Sequence, residues 1–245
     1  MADKGERMDR VTLFMFPYAG ASASVYEKWK PLFHESIDIV PVEIPGRGKR
    51  FPEPPLRRIG PIVEDAYTRI EGQLSERPYA LFGHSLGSVV AFELARKAKR
   101  LGKKPPVRLF VSGRAAPQVK ELDEPVYLLP DERFKQKIRS LGGTPPEFFQ
   151  NEQLLSLFLP ILKADYEASD TYRDEADASD KLSCGMTVLH GTEDEPCDPS
   201  EWSVHSTGTS DFHEFEGGHF FINEHAKPVA ELINRLLCTK EERTL

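Results

Sequence analysis

The pentapeptide Gly83-His84-Ser85-Leu86-Gly87 sets a serine between two glycines at the spacing G-x-S-x-G. A serine hydroxyl is a poor nucleophile at neutral pH and becomes a good one beside a positioned general base. A sharp strand-to-helix turn exposes such a serine, and glycines two positions either side remove the side chains that would collide in it. The five-residue pattern alone arises by chance in on the order of one chain in ten of this length, so its surroundings decide its meaning. Tyr79-Ala80-Leu81-Phe82 precedes it as a short apolar strand. Val89, Val90, Ala91, Phe92, Leu94, Ala95, Ala98 and Leu101 follow as a buried helix, with Gly102 as its stop and Pro105 beyond. Strand, turn and helix together make Ser85 the candidate nucleophile.

A serine held this way takes its partners in the chain order Ser, acid, His. His34, His84 and His190 come before any plausible acid in that order. His219 lies in Glu216-Gly217-Gly218-His219-Phe220, just past the last strand candidate, where two glycines let the loop fold back over the strand ends. His205, His213 and His225 lack that setting, so His219 is the candidate base. The acid belongs after the penultimate strand, in Gly191-Thr192-Glu193-Asp194-Glu195-Pro196-Cys197-Asp198. An acidic run is usually a solvated turn, but one member has to hold the imidazole in its productive tautomer. Asp194 is the first choice and Asp198 the second. For the oxyanion, one backbone N–H is that of Leu86, the residue after the nucleophile, and the other comes from the loop after the first strand. In Phe16-Pro17-Tyr18-Ala19-Gly20-Ala21-Ser22 the nominee is Ala19, with Tyr18 the near alternative.

These positions require a scaffold of alternating strands and helices. Strands are expected at Val11–Phe16, Ile37–Val42, Tyr79–Phe82, Arg108–Ser112, Met186–His190 and Phe212–Phe215, with helices between several of them, such as Ile62–Leu74 and Ser88–Leu101. That alternation indicates an α/β fold with a mostly parallel central sheet and helices on both faces, and the elbow makes it an α/β-hydrolase fold. From about 118 to 180 no strand is convincing. A helix is expected from about Glu132 to Leu141, N-capped by Asp131 and ended at Gly142. A second opens at Thr144-Pro145 and runs through Leu154, Leu155, Leu157, Phe158, Leu159, Ile161 and Leu162. This run is apolar on nearly every side and should be buried, with Pro160 bending or breaking it. The block has the position of a helical lid within one domain spanning 1–245, and Phe158, Leu154, Leu155 and Ile161 are the expected acyl-binding wall.

Bulk properties narrow the function. The 245 residues carry 32 basic and 39 acidic side chains, a net charge of −7, which argues against nonspecific nucleic-acid binding. No apolar run approaches the roughly 18 residues of a membrane span, and no signal peptide is visible. Cys184, Cys197 and Cys238 form neither a disulfide framework nor a zinc site. The expectation is a cytoplasmic enzyme that needs no metal and no cofactor.

With these residues in place, the chain resembles the type II thioesterases that accompany nonribosomal peptide and polyketide synthases, a group that includes the medium-chain thioesterase of animal fatty-acid synthesis. The resemblance is carried by Phe16-Pro17-Tyr18-Ala19-Gly20, Glu43-Ile44-Pro45-Gly46-Arg47-Gly48, the Gly-His-Ser-Leu-Gly elbow, Leu129-Pro130-Asp131, Leu141-Gly142-Gly143-Thr144-Pro145, Phe158-Leu159-Pro160, Asp165-Tyr166, Gly191 to Asp194, Trp202 and Gly217-Gly218-His219-Phe220. Leu86 stands where the family usually has methionine, and Ala21 where it usually has a second glycine. The resemblance implies Ser85, Asp194 and His219 as a triad under a helical lid. It implies acyl or peptidyl carrier proteins, which are acidic and bear phosphopantetheine, as partners, and the editing of their stalled acyl groups as the role. A cationic rim would suit such a partner. Arg133, Lys135, Lys137 and Arg139 on the first lid helix are favoured for it over Lys97, Lys99, Arg100, Lys103 and Lys104, which end the helix after Ser85 and complement its dipole. The competing readings are a small-molecule esterase or lipase on the same fold, and a non-catalytic carrier-binding module.

Overall fold

A computed structural model describes residues 10–119, 124–144, 146–174, 180–194 and 198–238. Six strands form one sheet: β1 (Val11–Phe16), β2 (Ile37–Pro41), β3 (Tyr79–His84), β4 (Arg108–Ser112), β5 (Gly185–Gly191) and β6 (Ser210–Phe215), in the spatial order β2-β1-β3-β4-β5-β6. Every pairing among them is parallel. Parallel neighbours need crossovers, and crossovers cover both faces of the sheet. The central strands β1, β3 and β4 are accordingly buried along their whole length, whereas edge strand β6 is partly exposed.

Side chains alternate between two cores. Phe14, Phe16, Leu81, Leu109, Val111 and Val188 face one way, onto α1 (Ile59–Ile70) and α2 (Leu86–Arg100). Leu13, Met15, Ala80, Phe82, Phe110 and Leu189 face the other, onto Tyr26 and Trp29 and the Val229 and Ile233 face of the C-terminal helix, Ala226–Cys238. The first strand register pairs Phe16 with Gly83, which brings the loop after β1 beside the turn after β3.

Between β4 and β5 lie α3 (Asp131–Ser140) and α4 (Glu152–Asp170), with a small core of their own built on Val126, Leu129, Phe134, Ile138 and Leu162. Three expectations for this block need correction. Asp131 is not the N-cap of α3; Pro130 holds that position, and the Asp131 carboxylate accepts instead from Lys163 of α4 at 2.6 Å. Pro160 does not break α4, because it sits on an exposed side of the helix, where the carbonyl it deprives of a partner can meet water. The apolar run is not buried all round: Leu155, Ile161 and Leu162 are buried, but Leu154 is 38% and Leu157 50% exposed. The helix opens with Asn151, whose side chain accepts from the Leu154 N–H. Pro145, expected to open that segment, lies outside the described residues, as do Glu195 and Cys197. After α4 and the last two strands come a short helix α5 (Phe221–Glu224) and α6, the C-terminal helix already named.

Candidate active site

The β3–α2 turn is built around its crowding. Ser85 has φ +54° and is the one non-glycine residue with positive φ among the described residues, a conformation that costs an L-residue on the order of 1 kcal/mol or more and persists where the surroundings impose it. Here they do. A Cβ on Gly83 would lie 2.0 Å from the Gly87 carbonyl oxygen, and one on Gly87 would lie 2.1 Å from that of Phe16. The Ser85 N–H donates to the Ser112 carbonyl at 2.8 Å. The Ser88 hydroxyl sits 2.8 Å from the Gly83 carbonyl and accepts from the Ser112 N–H at 3.0 Å, tying the ends of β3 and β4 together under the turn.

The loops after β5 and β6 bring the other two groups to this serine. Gly191 passes so close to the Gly217 and Gly218 carbonyls that a Cβ there would lie 2.5 and 2.6 Å from them, and the Glu193 N–H donates to the Gly217 carbonyl at 2.9 Å. Locked together, the loops set His219 Nδ1 3.0 and 3.1 Å from the two Asp194 carboxylate oxygens, and His219 Nε2 3.0 Å from Ser85 Oγ. A carboxylate only accepts, so Nδ1 carries the proton and Nε2 is free to accept from the serine hydroxyl. Asp198 and Glu193 are not brought to the imidazole. The Asp198 carboxylate caps the 3₁₀ turn Pro199–His205, accepting from the Ser200 N–H at 2.9 Å, and that turn carries Trp202 into the core; Glu193 points to solvent.

The buried His84 lies beneath the base, its ring centroid 5.2 Å from that of His219 and its Nδ1 2.9 Å from Ser112 Oγ. Burial, and then the proximity of His219, push its pKa well below the ordinary histidine value, so it stays neutral beside the His219 imidazole.

Leu86 opens α2, and an N–H in the first turn has no carbonyl of its own helix to bond. Ala19 lines the cleft over Ser85. In the same loop the Gly20 N–H donates to Asp165 Oδ2 at 2.6 Å and the Ala21 N–H to the Tyr18 carbonyl at 3.0 Å. Pro17 has no N–H, and Tyr18 and Ala19 are the residues of this loop that line the cleft with Ser85, so theirs are the candidate donors.

The cleft itself is closed down to about 30 Å3 and lined by Tyr18, Ala19, Ile138, Leu141, Leu162 and Phe220, among others. That is room for a few water molecules at most. Of the expected acyl-binding residues, none of Phe158, Leu154, Leu155 and Ile161 lines it; from α4 it is Leu162 and Tyr166 that do. Phe158 instead packs against Phe51 and Phe148, one helical turn before Leu162 on α4. The reason is geometric. An apolar helix has no sequence mark for which side meets the site, and Leu162 is selected because it fills the space over Gly20, where a Cβ would meet its Cδ2 at 2.4 Å.

A larger depression of about 660 Å3 lies around Arg58, Lys97, Arg100 and Asp180, at the C-terminal end of α2. It is walled by charges that pair with one another, Lys97 with Glu64 and Arg100 with Asp180. The length of α2, about 22 Å at 1.5 Å per residue, separates it from Ser85. The α3 cations are also engaged: Arg133 with Glu124, Lys135 with Glu132, and Arg139 over the Phe149 ring. Among the described residues no cluster of three or more His, Cys, Asp or Glu side chains is arranged to hold a metal, and no helix is long and apolar enough to cross a membrane.

Arg47 and Asp165, which belong to the motifs that carry the resemblance, meet beside the Gly20 loop. They form a bidentate ion pair, Nη1 to Oδ2 at 2.6 Å and Nη2 to Oδ1 at 2.7 Å, with side chains 1% and 0% exposed. Nothing local in either segment marks a partner 118 residues away.

The sequence matches the thioesterase domain family over residues 11–237. Thioesterase PikA5 of Streptomyces venezuelae is 36% identical over 234 residues, 94% of this chain and 82% of its own. The gramicidin S biosynthesis protein GrsT of Aneurinibacillus migulanus is 34% identical over 231 residues, 93% of this chain and 89% of its own. The crystal structure of ClbQ, from the colibactin NRPS/PKS pathway, superposes with a TM-score of 0.88 at 32% identity, covering 94% of this chain and 97% of that one.

Proposed function

Since this chain belongs to the thioesterase family, with an α/β-hydrolase fold, we propose that Ser85, His219 and Asp194 hydrolyse acyl thioesters carried on the phosphopantetheine arm of acyl or peptidyl carrier proteins. The role is the editing of nonribosomal peptide or polyketide synthases. The observation that carries this reading is the relay of Asp194, His219 and Ser85 at 3.0 Å per step, beside the N–H groups of Leu86 and of Ala19 or its neighbour Tyr18.

The chemistry follows from the geometry. Ser85 Oγ attacks the thioester carbonyl while His219 Nε2 takes the hydroxyl proton. The carbonyl oxygen gains negative charge, which the two backbone N–H groups stabilise. Asp194 stabilises the imidazolium without taking its proton. The C–S bond then breaks, and His219 protonates the departing thiolate. Water enters in its place, gives a proton to His219 and attacks the acyl-serine. The acid leaves and the proton returns to Ser85. The chain supplies every group in this cycle.

The segment between β4 and β5 acts as a lid over 1–245 read as one hydrolase domain. Opening of α3 and α4 admits the acyl chain to a cleft that is otherwise too small for it. The setting is the cytoplasm, where the carrier substrates would be met.

The test is mass spectrometry of an acylated carrier protein incubated with the enzyme, beside a simple ester. Wild type should return the free phosphopantetheine thiol, and Ser85→Ala should leave the acyl group in place while remaining folded. Turnover of the ester alone would assign a small-molecule esterase, and binding without turnover a non-catalytic module.

A further inference from the structure

We propose that Asp165 is a positioning residue for the oxyanion site: its carboxylate, fixed by Arg47, holds the Ala19–Gly20 peptide in place through the Gly20 N–H. The proposal rests on the assignment of Ser85 as nucleophile. Three segments meet here. Asp165 belongs to α4, Arg47 follows β2, and Gly20 follows β1. Asp165 Oδ2 accepts from both Arg47 Nη1 and the Gly20 N–H, each at 2.6 Å.

Stability does not explain the arrangement. A buried ion pair is often no more stabilising than apolar residues of the same volume, because both charges lose their hydration. What the pair provides is geometry. An Arg fork fixes the plane of a carboxylate, and an ionised acceptor makes a shorter and stronger bond to an N–H than a neutral one. Gly20 stands at φ +77° with Leu162 packed where a side chain would be, so the peptide between it and Ala19 is set by this bond. Holding that peptide orients the neighbouring Tyr18–Ala19 peptide, whose N–H is offered to the oxyanion. Arg47 has a second effect. An unpaired carboxylate one peptide away from the oxyanion would repel the developing charge, and the guanidinium neutralises it.

Two double variants separate this role from that of a structural ion pair. R47M/D165L and R47M/D165N both remove the charges and keep similar volume. Only the asparagine retains an oxygen that can accept from Gly20. On a short acyl thioester, R47M/D165L should lose about tenfold to hundredfold in kcat, a part of the 10²–10³ that an entire oxyanion donor is worth, with KM within about twofold of wild type. Its affinity for an alkyl boronic acid that forms a tetrahedral adduct on Ser85 should fall by the same factor. R47M/D165N should recover most of both. Equal kcat in the two folded variants would overturn the proposal. If R47M/D165L does not fold, the wild-type Gly20 amide decides: a proton shifted strongly downfield and slow to exchange is expected, and an ordinary shift with fast exchange would overturn it. Ser85→Ala in the same assay keeps the two levels distinct. Turnover in that variant removes the nucleophile assignment, whereas an inert Ser85→Ala beside equal double variants removes only the role of Asp165.

Discussion

Asp194 and Asp198 stand four residues apart in one acidic run, yet one reaches the imidazole and the other caps a turn. Matched substitutions should expose the difference. Asp194→Asn should lower kcat by about 10⁴, because a neutral amide no longer enforces the tautomer that accepts from Ser85. Asp198→Asn should change neither rate nor stability, since asparagine caps a helix as well as aspartate does. Kinetics on one thioester substrate with both variants checks this, and the reverse ranking would move the acid. His84 makes a second expectation, about pH. Its folded pKa lies below the ordinary histidine value of 6.5 because it is buried. Above that value both folded and unfolded chains hold it neutral. As pH falls below it, the unfolded chain takes up a proton that the folded chain refuses, so stability is lost from about pH 6.5 downward. His205 and His213 are shifted in the same direction, by burial first, so they add to the slope. Thermal melting between pH 8 and 5 should show this decline, and His84→Asn should make it shallower without abolishing it; an unchanged slope would mean that His84 titrates normally.

At the scale of elements, what the sequence discloses depends on how local the cause is. The elbow is local: Gly83, Ser85 and Gly87 carry its steric logic within five residues, and the strand and helix on either side announce themselves by apolar pattern. The His219 loop is nearly as legible, because Gly217 and Gly218 permit the close approach that Gly191 completes. The inner face of α4 is not legible. Its run of Leu154, Leu155, Leu157, Phe158, Leu159, Ile161 and Leu162 is apolar enough to satisfy any orientation, and the choice is made by Gly20, a residue in another segment that leaves space for Leu162. Asp131 misleads for a similar reason. Its position suits a cap, but Lys163 of the neighbouring helix claims the carboxylate. The consequence for specificity is direct. Leu162→Ala should widen the cleft and raise kcat/KM for medium relative to short acyl thioesters by about tenfold, the scale on which a methylene discriminates in an apolar pocket, at a stability cost of about 2–5 kcal/mol. Leu157→Ala, on the exposed side, should shift neither by more than about 0.5 kcal/mol. A substrate series run on both variants checks this, and a change of preference in Leu157→Ala alone would reverse the face assigned to α4.

For the whole molecule the question is how a chain of net charge −7 would meet the acidic carrier proposed as its partner. The α3 cations share a helix with Ile138, which lines the cleft, but Glu124 and Glu132 already engage two of them. Rim charges act mainly on association rate. Charge reversal at Arg133, Lys135 and Lys137 should therefore lower kcat/KM on an acyl-carrier substrate several-fold at low salt, with the difference vanishing at high salt and a small acyl thioester unaffected. Equal loss on both substrates would point to lid damage, and no loss on either would place docking elsewhere. The parallel order of the sheet bears on another moment in the life of the chain. The proposed nucleophile arrives with β3, but Asp194 and His219 arrive with the loops of β5 and β6, in the last quarter of the sequence. A ribosome adding on the order of ten residues per second will have exposed the serine turn for several seconds before either partner emerges. Throughout that interval the growing polypeptide holds a serine with nothing to deprotonate it, and any fragment cut short before the sixth strand is left the same way. On the proposed mechanism, activity waits for the loop that follows the sixth strand.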